Sequence, residues 1–222
     1  MKKILATAIA FLFLGTMTAY AGSFGVGISG SYALIDASGK ETEGAAGSET
    51  EASVNTKDVD NFAAIGSIFA EYITDTGFTL GFEHVPGSAD VSDKTHTRAE
   101  TAVGVSGADT SGAITRKAAA EVENFNTFYV EYGDQAYLRL GYAQLDVNTQ
   151  ETAQTDGGTY GNTTLDGFNV GVGVRSDMGG FYVKTSLEYT DFEELSLTST
   201  SNNKLTADLD VTQFKIAVGK AF

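Results

Sequence analysis

Eight ionisable side chains stand at alternating positions inside segments that are otherwise apolar or small: Glu71, Glu83, Glu131, Arg139, Arg175, Lys184, Glu188 and Lys215. Four acids against four bases form a balanced set. Balance matters wherever such groups leave water, because a buried charge without a partner costs several kcal/mol. Gathered in one confined space, these residues could line a charged constriction that gates ions. They could also neutralise one another as a plug in a narrow polar interior, which is the reading preferred on the residues alone. Catalytic chemistry has less to draw on. His84 and His96 are the two histidines, cysteine is absent, and no HExxH, GxSxG or P-loop pattern surrounds either histidine. The chain is read as not an enzyme, and no cofactor or metal is expected.

The elements that would hold these charges follow a leader. Lys2 and Lys3 precede the apolar run Ile4–Leu14, and Ala19-Tyr20-Ala21 offers small residues around a cleavage point. Residues 1–21 are therefore expected to be a cleaved signal peptide, and 22–222 a single domain. The run is too short for a spanning helix, which needs about 20 residues. A net charge of −15 sets the chain against nucleic acid, whose phosphates would repel it.

The rest of the chain alternates between short β-rich segments and connections of two lengths. Strands are predicted near 23–35, 62–73, 77–85, 124–133, 136–146, 167–176, 181–191 and 210–222. Thr74-Asp75-Thr76, Asp134-Gln135 and Asp177-Met178-Gly179-Gly180 read as tight turns. Residues 36–61, 86–123, 147–166 and 192–209 read as long polar loops, and Thr101–Ser106 with Gly112–Thr115 offers an additional hairpin within the second. Eight strands joined alternately by long loops and short turns match an up-and-down transmembrane β-barrel, with long extracellular loops and short periplasmic turns.

Successive strand residues point to opposite faces. Phe168, Val170, Val172 and Val174 oppose Asn169, Gly171, Gly173 and Arg175, while Phe214, Ile216, Val218 and Phe222 oppose Gln213, Lys215, Ala217 and Gly219. Aromatic residues gather at both ends of the apolar stripe: Phe24, Tyr72, Phe78, Tyr132, Phe181 and Phe222 beside the short turns, Tyr32, Phe62, Phe82, Tyr142, Phe168, Tyr189 and Phe214 toward the long loops. Two aromatic girdles around Val, Ile and Leu mark a lipid-facing wall. The other stripe then faces inward, where Phe69, Phe125, Tyr129, Tyr137 and Tyr182 would fill space left by glycines. A three-residue hairpin loop at Asp134–Ala136 would place Glu131 directly opposite Arg139.

The first strand FGVGISGSY, the EYG and LEY strand ends and the terminal FKIAVGKAF resemble the OmpA/OmpX-like outer-membrane β-barrel superfamily. The resemblance implies the outer membrane of a Gram-negative bacterium as location. It also implies that Phe222, Val218, Ile216 and Phe214 are read by the barrel-assembly machinery; Lys220 departs from that alternating pattern. No peptidoglycan-binding domain is expected after the barrel. Outer-membrane lipid and lipopolysaccharide are the expected surroundings of a monomer, and the acid-rich loops are expected to meet an extracellular partner. Carboxylates there lack ordered calcium-site spacing. The function expected is structural or surface-interacting, with a narrow porin-like channel and, remotely, an outer-membrane enzyme as alternatives.

Overall fold

The computed structural model describes residues 22–42, 54–91, 96–103, 109–152, 159–200 and 202–222. These form ten strands: β1 (Gly22–Thr42), β2 (Val54–Thr74), β3 (Phe78–Asp90), β4 (His96–Val103), β5 (Asp109–Tyr132), β6 (Ala136–Thr152), β7 (Thr163–Met178), β8 (Phe181–Phe192), β9 (Leu195–Thr198) and β10 (Lys204–Ala221). Eight of them close an antiparallel ring in the order β1-β2-β3-β5-β6-β7-β8-β10, with β10 returning to β1. The leader expected over residues 1–21 lies outside the described residues.

The seam of the ring is the pairing of β10 with β1, which sets Phe214 beside Tyr32, Ile216 beside Gly30 and Val218 beside Ile28. Phe222 finishes it, donating its amide to the Phe24 carbonyl at 2.9 Å. The four residues of the terminal pattern all face outward. Lys220 shares that face and lays its ammonium 4.9 Å from the Phe222 ring, which gives a charge at this depth a partner.

The exterior of the barrel is apolar to a degree that water would not tolerate. Ile28 is 65% exposed, Leu138 62%, Val172 54% and Ile68 53%. Such a contiguous band, flanked at both edges by the expected aromatics, is the surface of a transmembrane β-barrel. Ring pairs within the girdles pack against each other, as Tyr32 stacks on Phe62 at 5.4 Å and Phe78 meets Tyr132 at a tilt, 4.8 Å between centroids.

Three connections are short, as predicted. At one of them Gly133 has φ of +126° and a Cβ there would meet the Ala136 carbonyl oxygen at 2.1 Å, so only glycine closes this turn. The tight turn leaves Glu131 in register with Arg139.

The long connections differ from their prediction. Asp36–Thr42 and Val54–Asn61, read as loop, continue as a paired ladder from Asp36↔Asp60 to Thr42↔Val54. β1 and β2 reach 21 residues each and β5 reaches 24, about twice the length a tilted strand needs to span. The additional hairpin exists as β4 on β5, with Thr101 opposite Ala113. It extends the sheet beyond the ring rather than adding spanning strands; residues 104–106 of the predicted segment lie outside the described residues.

Past the outer girdle the two faces exchange character. Asp60, Asp36, Asp210 and Asp191 lie in one continuous register across β2, β1, β10 and β8. Inward at the same height stand Ile35, Val211 and Phe192, each buried. The barrel is thus apolar outside where lipid surrounds it and apolar inside where water does.

Candidate functional site in the barrel lumen

Seven of the eight predicted charges meet in the lower lumen. Glu71 comes from β2, Glu83 from β3, Glu131 from β5, Arg139 from β6, Lys184 and Glu188 from β8, and Lys215 from β10; their exposure lies between 1% and 7%. Each sits at an inward position of its strand, so the period-two pattern alone aims it into the barrel.

The charges form two linked groups. In the first, Lys184 Nζ donates to Glu71 Oε1 and, at 2.6 Å, to Glu131 Oε2. Glu71 also accepts from the phenols of Tyr129 at 2.6 Å and Tyr182 at 2.9 Å. In the second, Glu83 accepts from Arg139 Nη2 and Lys215 Nζ, both at 2.8 Å, and from Ser67 Oγ at 2.6 Å. Glu188 accepts from Lys215 at 2.9 Å, Arg139 Nη1 at 3.1 Å and Ser186 Oγ at 2.8 Å. A longer ion pair, Arg139 to Glu131 at 3.8 Å, joins the groups. Register alone would have made Glu131 the main partner of Arg139. The guanidinium instead reaches across the lumen to β3 and β8, where it meets two carboxylates at shorter range.

Arg175 does not join them. It stands directly opposite Lys184 in the β7–β8 register, and like charges at that spacing repel. Its guanidinium turns away to Asp177 at 2.7 Å and lies 4.3 Å above the Tyr182 ring. The expected four-to-four balance is therefore corrected to four carboxylates against three cations.

Aromatic rings and glycines complete the packing. Tyr182 is fully buried, and a Cβ on Gly219 would lie 2.3 Å from its ring; a Cβ on Gly81 would lie 2.1 Å from the Tyr129 ring. Arg139 lies flat over Tyr129 at 3.5 Å. Two cavities of about 10 Å³ each lie among the charges, room for about one water apiece.

Sequence reasoning missed the upper lumen. Ala33, Ile35, Ala143, Leu145, Val147, Leu165, Phe192, Leu195, Leu209 and Val211 form a second, apolar core above the charges. Its signal was present as a switch of inward residues from Ser29 and Ser31 to Ala33 and Ile35, in step with Asp36 on the outer stripe. Among the described residues no cluster of His, Asp or Glu could hold a metal ion. His84 faces outward and donates through Nδ1 to Asn126 Oδ1 at 2.8 Å.

No protein-family model matches the chain, and no curated protein does. Among solved structures it is similar to the outer membrane protease OmpT from Escherichia coli, at 9% identity over 93% of this chain and 99% of that one, with a TM-score of 0.48. It is also similar to the outer membrane protein OprG from Pseudomonas aeruginosa, at 13% identity over 91% and 97% with a TM-score of 0.46. The attachment invasion locus protein Ail of Yersinia pestis matches at 10% identity over 85% and 98%, with a TM-score of 0.33. At these TM-scores the likenesses carry no assignment, and the closed antiparallel ring itself shows the fold.

Proposed function

We propose that the chain is an integral outer-membrane protein of a Gram-negative bacterium whose barrel does not conduct, and which carries its extended strands to the cell surface to meet a partner there. The observation that supports this reading is the lumen network: seven charged side chains, mutually hydrogen-bonded and packed by Tyr129, Tyr137 and Tyr182, are buried together with cavities of only about 10 Å³ among them. Each charge is held by two or more short contacts, so opening the lumen would strand several buried ions at a cost of several kcal/mol each. The strands that continue past the girdle give the surface portion a sheet-built frame rather than free loops. Its outer face, with Asp36, Asp60, Asp191 and Asp210 in one row, favours a partner with a basic contact surface. No catalytic role is included in the proposal. The terminal stripe Phe214, Ile216, Val218 and Phe222 is assigned to recognition by the barrel-assembly machinery.

The reading is tested by potassium release from vesicles loaded with the salt and reconstituted with folded protein. Release at the rate of protein-free vesicles is expected. Fast release, abolished by heat-unfolding the protein before reconstitution, would replace the sealed stalk with a pore.

A further inference from the structure

One ammonium stands on the lipid-facing stripe of the eight ring strands. Lys220 of β10 points outward at the short-turn end of the barrel, within the band of Phe24, Tyr72, Phe78, Tyr132, Phe181 and Phe222. The other four cations of the spanning strands lie on the inward stripe, and each has a carboxylate. Lys184 reaches Glu131 at 2.6 Å, Arg175 reaches Asp177 at 2.7 Å, and Arg139 and Lys215 both reach Glu83 at 2.8 Å. Lys220 has none. Its register neighbours are Val26 on β1 and Phe181 on β8, with Val218 and Phe222 two residues away on its own strand. Among the described residues it makes no hydrogen bond or ion pair. Its contacts are two rings, with the ammonium 4.9 Å from the centre of Phe222 and 5.6 Å from that of Phe181.

Rings hold an ammonium without consuming its donors. The attraction is to the ring quadrupole and fixes where the charge sits. Nζ keeps three N–H donors, and the surrounding Val26, Phe181, Val218 and Phe222 side chains offer no acceptor for them. An unpaired charge in the wall of a membrane barrel is costly, and a lysine stem lowers that cost by carrying the head to the interface. The anion waiting at that depth is a lipid phosphate. The opposite end of the barrel has the opposite sign, since Asp36, Asp60, Asp191 and Asp210 form the outward row beyond its girdle. An anionic head is therefore drawn to the short-turn end and repelled from the other.

We propose that Lys220, caged by Phe181 and Phe222, binds the phosphodiester of one anionic phospholipid, such as phosphatidylglycerol, in the leaflet at the short-turn end. A phosphate oxygen accepts from Nζ, and the acyl chains run along Val26, Val218 and Ile216 toward the middle of the membrane. Selection for a net negative head follows from what surrounds the ammonium. A zwitterionic head brings its own ammonium, which competes with Lys220 for the same phosphate. The site gives a reason for a lysine where the alternating terminal pattern calls for an apolar residue. It rests on the apolar exterior of the barrel and is independent of whether the lumen conducts.

The test is native mass spectrometry of folded protein released from micelles that contain equal amounts of phosphatidylglycerol and phosphatidylethanolamine with identical chains. The unmodified protein is expected to retain one phosphatidylglycerol, and phosphatidylethanolamine at least fivefold less. Lys220→Met is expected to lower the retained phosphatidylglycerol at least fivefold, and Lys220→Arg to keep it. Excess dissolved glycerophosphoglycerol, the same head without chains, is expected to leave the retained lipid in place. Should Lys220→Met lack a folded, heat-shiftable band, phosphatidylglycerol with a diazirine in its head gives the location on the unmodified protein. Label is then expected on peptides covering residues 181–183 and 218–222. Retention unchanged in Lys220→Met, or label spread evenly around the girdle, overturns the site. Equal retention of the two lipids overturns the head selection, and displacement by the dissolved head overturns a lipid as the ligand.

Discussion

The four buried glutamates are not equivalent, and the difference between them can be measured. Glu83→Gln removes the carboxylate charge shared by Arg139 and Lys215 and leaves Glu188 as their one close carboxylate, with Glu131 at 3.8 Å from Arg139, while Lys184 still faces Glu71 and Glu131. One half of the lumen then has a surplus cation and the other a surplus carboxylate. Breaking a buried pair in this way costs about 3–5 kcal/mol. Glu131→Gln does the opposite. It leaves Lys184 with Glu71 in one group and Arg139 and Lys215 with Glu83 and Glu188 in the other, so each group is balanced. The new amide oxygen can still accept from Lys184, and the lost contact to Arg139 was the longest of the set, at 3.8 Å. The expected change is within about 1 kcal/mol of zero, because a surplus buried carboxylate is traded for a neutral acceptor. Both variants are to be unfolded by urea in phospholipid vesicles. With an m-value of about 2 kcal/mol/M, Glu83→Gln moves the midpoint down by about 2 M and Glu131→Gln by less than about 0.5 M. Equal losses in the two variants, at unchanged m, would refute the two-group partition of the lumen.

Other consequences follow from the same geometry. Gly219→Val places its side chain against the Tyr182 ring, and Gly81→Val against that of Tyr129; each is expected to abolish the heat-shiftable folded band on electrophoresis. Slight desolvation of the exposed Asp36 carboxyl by its neighbours, and secondarily the charge of Asp60 beside it, raises its pKa above the ordinary carboxylate value. A raised value means that the ionised form is disfavoured in the folded state, so the penalty is present at neutral pH and relieved as pH falls through that value. Asp36→Asn should therefore raise the urea midpoint at pH 7 and lose that advantage at a pH low enough to protonate the wild-type carboxyl. Raising ionic strength at pH 7 should narrow the same gap by screening the aspartate row. Removal of Phe222, which ends the seam at Phe24, is expected to slow membrane assembly in cells, read as accumulation of unfolded precursor in the periplasm.

The spanning part of this fold was legible because lipid imposes a simple alternation on it. In the spanning parts of β7, β8 and β10 nearly every second residue is bulky and apolar, Thr185 and Lys220 being exceptions, and the short turns fix where each stripe begins. The inward stripes of β2, β3, β5, β6, β8 and β10 named the seven lumen charges. What hid Arg175 was side-chain length: the stripe gave its face correctly, but only packing against Lys184 and Asp177 could tell which end of the lumen its guanidinium would choose. The upper barrel was illegible for another reason. From Ile35 and Asp36 onward the solvent outside changes from lipid to water, so the alternation inverts, and an inverted stripe rich in Asp, Ser and Thr reads as loop when a single rule is applied along the whole chain. β2 and β3 pair only as far as Ile68↔His84, and the early end of that ladder left Pro86-Gly87 as its trace, a pair that equally marks an ordinary turn.

The claim on which the account turns is that the charge network closes the lumen, and single-channel recording tests it most directly. Folded protein inserted into a planar bilayer, with insertion verified by protease protection of the membrane-embedded strands, is predicted to leave the current at the level of bare lipid across an applied potential of either sign. Stable, ion-selective unitary steps that disappear when Lys184 or Arg139 is altered would contradict it.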